Sequence, residues 1–264
     1  MHYSGTNGKG NVMSAPNPLV TAGILVIGDE ILSGRTKDKN IGYIAEYLTD
    51  IGIDLKEVRV VSDDEPEIVA ALNALRNRYT YVFTTGGIGP THDDITADAV
   101  AKAFGVTIDV DPRAVKIMTE RFAARGVEMN EARLRMARIP ATADLVENKM
   151  SGAPGFMIGN VIVMAGVPSI MHAMLDAAAP KLKTGVKMLS ETIKGDVREG
   201  DIGTELGEIA KAHPNVSIGS YPFFDEKLGP NTNLVIRARD AEHIAAARAD
   251  VEAMLERVRA ATAA

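Results

Sequence analysis

No cysteine occurs in the chain. That excludes disulfides, Fe–S clusters, cysteine-based zinc sites and thiol catalysis; it fits a reducing compartment, and leaves any metal to oxygen or histidine ligands. Positive charge is also short. Lys and Arg number 29 against 35 Asp and Glu, a formal net charge of -6, which argues against broad electrostatic binding to nucleic acid or to anionic membranes. No apolar run reaches the roughly 18 to 20 residues that a bilayer span needs, so a soluble, cytoplasmic protein is expected. There is no GxSxG elbow, HExxH helix or Walker loop, and esterase, zinc-protease and P-loop NTPase readings lose their support. Small molecules are the better-matched partners.

What is present suffices for a sizeable core: 264 residues with 46% hydrophobic content, enough for one large domain or a main domain with a small one. Residues 1–18 are rich in Gly, Asn, Ser and Pro, show no apolar period and lack the hydrophobic centre of a secretion signal. They read as an unstructured or vector-derived extension, with Met13 an alternative start and His2 exposed. From Val20 to Ile27 a short apolar run predicts a buried strand. A helix follows from Asp38 to Leu48, with Ile41, Ile44, Ala45 and Leu48 at helical spacing. Leu55 to Val61 alternates as a strand, and Pro66 sits in the first turn of a second helix carrying Ile68, Val69, Leu72 and Leu75. Tyr81 to Thr85 is a third strand, leading through glycines to a helix over Thr96 to Phe104. This rhythm predicts an open, mainly parallel α/β sheet, in which ligands bind at the carboxyl ends of strands.

Polar motifs follow each of these three strands: Gly28 to Gly34, Ser62 to Asp64, and Thr84 to Thr96. Right-handed crossovers would gather them at one sheet edge. The third is the densest. Gly86, Gly87 and Gly89 let backbone N–H groups approach an anion closely, and Asp93 and Asp94 offer hard oxygen ligands. Two unit negative charges 4 Å apart repel by about 4 kcal/mol at an effective dielectric near 20, so carboxylates facing a phosphate call for a cation or for amide donors. Asp63 and Asp64, taken alone, read as helix N-caps. Of five histidines only His92 lies near this segment, where it reads as a solvent-facing loop residue.

These residues carry a resemblance. Gly28-Asp29-Glu30-Ile31-Leu32-Ser33-Gly34 with Asp38 and Asn40, the segment Thr84 to Thr96, Pro154-Gly155-Phe156 and Gly166-Val167-Pro168-Ser169 together resemble the molybdopterin-binding-like family. That family includes the molybdenum cofactor biosynthesis proteins and the amino-terminal part of competence/damage-inducible protein A, and the Gly-Asp-Glu-Ile-Leu opening points to the latter branch. The likeness spans most of residues 20–240. It implies a pterin- or nucleotide-phosphate cradle at Gly86, Gly87, Gly89 and Thr91, flanked by Asp29, Ser33, Gly34 and Asp38. Gly166, Pro168 and Ser169 would close the other side. Ala165 stands where the family usually has proline, leaving that turn less stiff. The resemblance implies catalytic roles for Asp94 and Asp63, with Asp64 a possible register, and a divalent ion (Mg, Mn or Co) on Asp94 and Asp93. The activity expected is metal-dependent hydrolysis of a dinucleotide pyrophosphate such as ADP-ribose or FAD; the alternative is pterin or nucleotide binding, or adenylyl transfer. The competence proteins' amidase domain, and its deamidation chemistry, is not carried over.

Pro112 to Pro140 reads as two helices able to supply a subunit contact in a homo-oligomer. Arg135 and Arg138 are assigned there to a solvated face, whereas Arg133, in an Asn130-x-x-Arg133 pattern similar to the family's, is expected to reach across a cleft or interface. A hairpin about Gly159-Asn160 follows, and Met171, Met174 and Leu175 read as core. The main domain is placed at 19–185. Residues 186–264 carry a βαββα pattern that resembles the KH-like module of competence proteins; without a Gly-x-x-Gly clamp it is not expected to bind RNA. Tyr221-Pro222-Phe223 is taken as a packing turn.

Overall fold

The computed structural model describes residues 19–226 and 229–263; the extension expected over residues 1–18, with His2 and Met13, lies outside them. A six-stranded sheet runs in the order β2 (Asp54–Val61), β1 (Thr21–Ile27), β3 (Tyr81–Thr85), β8 (Val161–Met164), β7 (Gly155–Ile158) and β6 (Asp144–Val146). The first four are parallel and the last two antiparallel to their neighbours. Every residue of β1 after Thr21 is buried, as a central parallel strand covered on both faces requires.

Side chains alternate between two cores. Leu25, Ile27, Val82, Val161 and Val163 pack with helices α3 (Glu65–Arg76), α4 (Thr96–Phe104) and α5 (Pro112–Ala123) on one face. Ile24, Val26, Phe83, Ile162 and Met164 pack on the other with α2 (Asn40–Asp50) and α7 (Pro168–Ala178). Met171, Met174 and Leu175 are core residues of α7. The hairpin forms as expected, with Ile158 opposite Val161 and Gly159 at φ 56°, the left-handed geometry such two-residue turns demand. Two short strands, β4 (Ile108–Val110) and β5 (Arg138–Pro140), pair beside α4. They were invisible in the sequence because three residues carry no periodicity.

Beyond residue 186 the order is β9 (Leu189–Lys194), α8 (Glu199–Ala212), β10 (Ser217–Asp225), β11 (Gly229–Ala238) and α9 (Ala241–Ala263). The sheet order is β10-β11-β9, all antiparallel, over a separate core of Ile202, Leu206, Leu234, Ile236, Val251 and Met254. Tyr221-Pro222-Phe223 is a correction: these residues lie inside β10, paired with Asn231 to Asn233, and Pro222 is tolerated because β10 is an edge strand. Arg239 ties this module to the first through Asp54, at 2.7 Å, and Gly185 N–H donates to the Gly52 carbonyl. Among the described residues no helix is long and apolar enough to cross a membrane.

The strand order places a topological switch between β1 and β3, since the chain leaves β1 for one neighbour and returns on its other side. Gly86 closes that gap. Its φ is 103°, and a Cβ there would lie 2.1 Å from the Ile27 carbonyl oxygen. Replacing Gly86 by alanine is expected to cost more than the ~1–3 kcal/mol of an unfavourable backbone conformation, because the β1 backbone must also move. Urea denaturation of Gly86→Ala should show it; an unchanged midpoint would contradict this packing.

Candidate functional site

The carboxyl ends of β1, β2 and β3 do converge, and each motif is fixed by its backbone. After β1, Asp29 to Leu32 form a single helical turn, α1, and the Gly28 N–H reaches across to the Val61 carbonyl. After β2, the two acids separate in role. Asp64 caps α3 by accepting the Glu67 N–H, while Asp63 turns back and accepts the Asp29 N–H at 2.9 Å. Asp63 is thus the acid that faces the other motifs. Burial holds its carboxyl above the ordinary range; the Asp29 N–H opposes this, and the neighbouring charges of Glu30, Asp29 and Asp93 add to the rise.

After β3 the loop is pinned on both sides. Gly86 N–H donates to the Met164 carbonyl, the Thr96 hydroxyl donates to the Gly86 carbonyl, and the Thr96 N–H to the Gly87 carbonyl. Gly87, at φ 66°, has no room for a Cβ, which would meet Thr96 Oγ1 at 2.1 Å. The Gly86 amide expected to face an anion is therefore spent on β8. For the N–H groups of Gly87, Ile88 and Gly89 no intramolecular acceptor is found among the described residues. Asp94 folds back on this loop: its Oδ2 accepts from the Thr91 N–H at 2.8 Å and the Thr91 hydroxyl at 2.6 Å, and the carboxylate packs over Gly89. His92 is almost fully exposed, 4.0 Å from Asp93.

Two cavities flank the loop. The wider, of about 210 Å³, lies between Val26, Ile27, Glu30, Ile31 and the stretch Thr36 to Asn40, with Thr85, Gly86, Gly166 and Pro168 opposite. Asp38 Oδ1 accepts the N–H groups of Asn40 and Ile41 and so sets the start of α2. Buried Asn40 donates to the Gly166 carbonyl at 2.8 Å and locks the two walls together, leaving its Oδ1 and the Thr85 hydroxyl without partners. Buried polar atoms of this kind at a cavity wall are suited to a polar ligand. Lys37 and Lys39, which carried no sequence signal beyond charge, also line it. The narrower cavity, of about 20 Å³, lies behind the loop and is bounded by Gly87, Gly89, Asp94, Asp98, Arg135 and Arg138 among others.

Several expected members stand apart. Ser33, Gly34 and Ser169 are exposed and line neither cavity; Ser33 accepts from Arg35. Asp94 and Asp63 open on different surroundings, Asp63 among Asp29, Glu30 and Asp93 and Asp94 on the narrow cavity. Asn130 caps the short helix α6 (Glu131–Arg135), and Arg133 bonds the Glu128 carbonyl and lies 6.0 Å over Phe122, so the Asn-x-x-Arg pair is a local brace. Arg135 and Arg138 overturn their assignment to a solvated face: both line the narrow cavity, Arg138 in a two-pronged pair with Asp98 at 2.7 Å. Helical spacing had placed them outward, but α6 ends at Arg135 and Arg138 begins β5.

Residues 23–184 match the model of the probable molybdopterin binding domain, well over half of the chain. The chain belongs to the molybdopterin-binding domain family. Its residues 187–262 match the middle domain of FAD synthase. A protein of Pyrobaculum calidifontis is 35% identical over 212 residues, covering 76% of this chain and 80% of that one. One of Aeropyrum pernix is 30% identical over 247 residues, covering 90% and 92%. The crystal structure of the protein CinA from Thermoplasma acidophilum, titled as of unknown function, aligns with a TM-score of 0.56 at 33% identity, covering 61% of this chain and 98% of that one. This supports a CinA-like member of the molybdopterin-binding family, with the mainly parallel α/β sheet and a small β-rich module after it.

A raised carboxyl pKa has a defined consequence for stability. Asp63 binds its proton more tightly folded than unfolded, so stability falls as pH rises from the ordinary carboxylate range through the raised value. Asp63→Asn removes that penalty while keeping an acceptor for the Asp29 N–H. The melting temperature should rise on the order of 1 °C at pH 7, and the gain should vanish below about pH 4. A variant less stable than the parent at pH 7 would contradict this.

Proposed function

We propose that the chain is a divalent-metal-dependent pyrophosphatase acting on a dinucleotide-like substrate of the ADP-ribose or FAD class. The two matched families point to nucleotide-related activity, and the FAD synthase description makes FAD a natural first substrate to try. The observation that carries the finer reading is the loop from Gly86 to Asp94. It presents the amides of Gly87 and Gly89 without intramolecular acceptors beside a half-buried carboxylate, between a wide cavity and a narrow one. A ring system fits the wide cavity, whose walls include Val26, Ile27 and Ile31, with its phosphates directed to the loop.

The residues fit a divalent ion of the Mg, Mn or Co type. Asp93 and Asp94 supply hard oxygen donors, and the Asp63 carboxyl is raised first by burial and then by the neighbouring charges of Glu30, Asp29 and Asp93. Among the described residues no three acidic or histidine side chains converge into a ready cage, so an ion here would need the ligand's phosphates to complete its coordination. When bound, such an ion polarises a phosphoryl oxygen and acidifies water. The protein's own part is distinct. The Gly87 and Gly89 amides offset charge gathering on the phosphoryl oxygens. Asp63, held above the ordinary range, is a better proton acceptor at neutral pH than a common carboxylate and takes the proton of the attacking water. Water adds at phosphorus as the bridging P–O bond breaks, giving AMP with ribose 5-phosphate from ADP-ribose, or AMP with FMN from FAD.

The family description favours a second reading, pterin or nucleotide binding or adenylyl transfer at the same loop. Product chromatography separates the two. With Mg²⁺, Mn²⁺ or Co²⁺, AMP should accumulate from ADP-ribose or FAD, stop in EDTA, and fall at least ~100-fold in Asp94→Asn and Asp63→Asn. Hydrolysis equal in EDTA would sink the mechanism, and adenylated pterin formed from ATP and molybdopterin would select the second reading.

A further inference from the structure

Among the described residues, Arg135 is the half-buried arginine for which no acceptor is found. Its Nε is shielded from solvent and has no hydrogen-bond partner, and no ion pair within 4.0 Å involves it among the described residues, Asp94 included. The other arginines of the region are all satisfied. Arg138 grips Asp98, Arg133 bonds the Glu128 carbonyl, Arg121 pairs with Glu147, and Arg76 donates to the Ala103 carbonyl. Arg198 and Arg237 also lack partners but are exposed. A guanidinium cannot shed its proton in a protein, so a shielded Nε–H with nothing to accept it is unfavourable unless a ligand completes the site.

The surroundings say what kind of ligand. Arg135 lines the narrow cavity with Gly87, Ile88 and Gly89, the residues whose N–H groups are free. Fixed donors on one wall and an unpaired guanidinium on another favour a compact oxyanion, which a planar fork of N–H groups binds in two-pronged fashion. Arg138 cannot serve, because both its prongs are taken by Asp98. We propose that Arg135 and the Gly87–Gly89 amides form a phosphoryl subsite behind the glycine loop, which grips a terminal or bridging phosphate while the organic part of the ligand occupies the wide cavity. The subsite makes Arg135 a selectivity residue for phosphate-bearing over unphosphorylated ligands. This rests on the reading of the loop as a phosphate cradle, and its test needs no hydrolysis.

The probe is inorganic pyrophosphate, titrated calorimetrically into the full chain in EDTA, so that no metal can bridge ligand and carboxylates. The parent protein should bind it. Arg135→Gln should weaken binding about 10- to 100-fold, the range expected for a charge-assisted hydrogen bond, and Arg135→Lys should recover part of the loss through charge alone. Since Arg135 makes no bond in the free protein, neither variant should melt below the parent, and the melting temperature is measured in parallel. Arg198→Gln, exposed on the second module and away from both cavities, should leave pyrophosphate affinity unchanged. Equal affinity in Arg135→Gln and parent would overturn the subsite, as would failure of the parent to bind, or an equal loss of binding in Arg198→Gln. Binding that depends on Arg135 in a protein that never releases AMP upholds the subsite and removes only the hydrolytic reading. Full pyrophosphatase activity in Arg135→Gln with unaltered pyrophosphate affinity does the reverse.

Discussion

The contact on which the site depends is one of backbone against backbone. At the gap between β1 and β3 the chain of Gly86 lies so close to the Ile27 carbonyl that a single added carbon would overlap it, and Gly166 approaches the same glycine from β8, where its own Cβ would come within 3.3 Å of the Gly86 Cα. Three strand ends are thereby drawn to one point. The hydrogen bonds follow from that closeness: Gly86 to Met164, Thr96 to Gly86 and Gly87, Asn40 to Gly166. With Gly86 held, the next three residues line the narrow cavity, and their N–H groups find no acceptor among the described residues. The site's donors are thus a by-product of how tightly the sheet closes at its switch point.

That tightness explains why so much was legible in the sequence. Glycines that must accept positive φ or a close backbone cannot be exchanged for other residues, so Gly86 and Gly87 stand out directly after an apolar strand. The alternation of cores was readable from β1 and β3, whose apolar runs are long enough to be buried on both faces, and Pro66 marked the start of α3. The assignment of Asp63 against Asp64 was not readable. Adjacent acids before a helix look alike in sequence, and only the turn of the chain after β2 decides that one caps and the other faces Asp29.

The arginines show a different limit. Arg135 and Arg138, three positions apart, would share a face on a continuous helix, with Arg133 on the opposite side. The helix stops at Arg135, however, and β5 begins at Arg138, so the count does not run through the segment. What turns Arg135 and Arg138 inward is the pairing of β5 with β4 and the packing of that pair on α4. Three-residue strands leave no pattern to read. A side chain's role there is set by contacts between segments distant in sequence, as the Arg138 pair with Asp98, 40 residues away, illustrates.

A chain with a net charge of -6 is an unpromising host for an anion only if charge is averaged over the surface. At physiological ionic strength the screening length is about 8 Å, so a bound phosphate responds to groups within a few ångströms and little else. On one side of the loop stand Lys37 and Lys39, on the other Arg135, with amide donors between. Of the acids, Asp94 lines the narrow cavity with Arg135 and the amide donors, while Asp63 and Asp93 line neither cavity. Burial raises the Asp63 carboxyl, and the charges of Glu30, Asp29 and Asp93 add to the rise. A neutral or cationic ligand would satisfy the acids and leave Arg135 and the loop amides unpaired; a bare anion would satisfy the donors and oppose the acids. A phosphate accompanied by a divalent cation meets both demands at once, and for that reason the mixed charge of the loop argues for such a pair as its natural occupant.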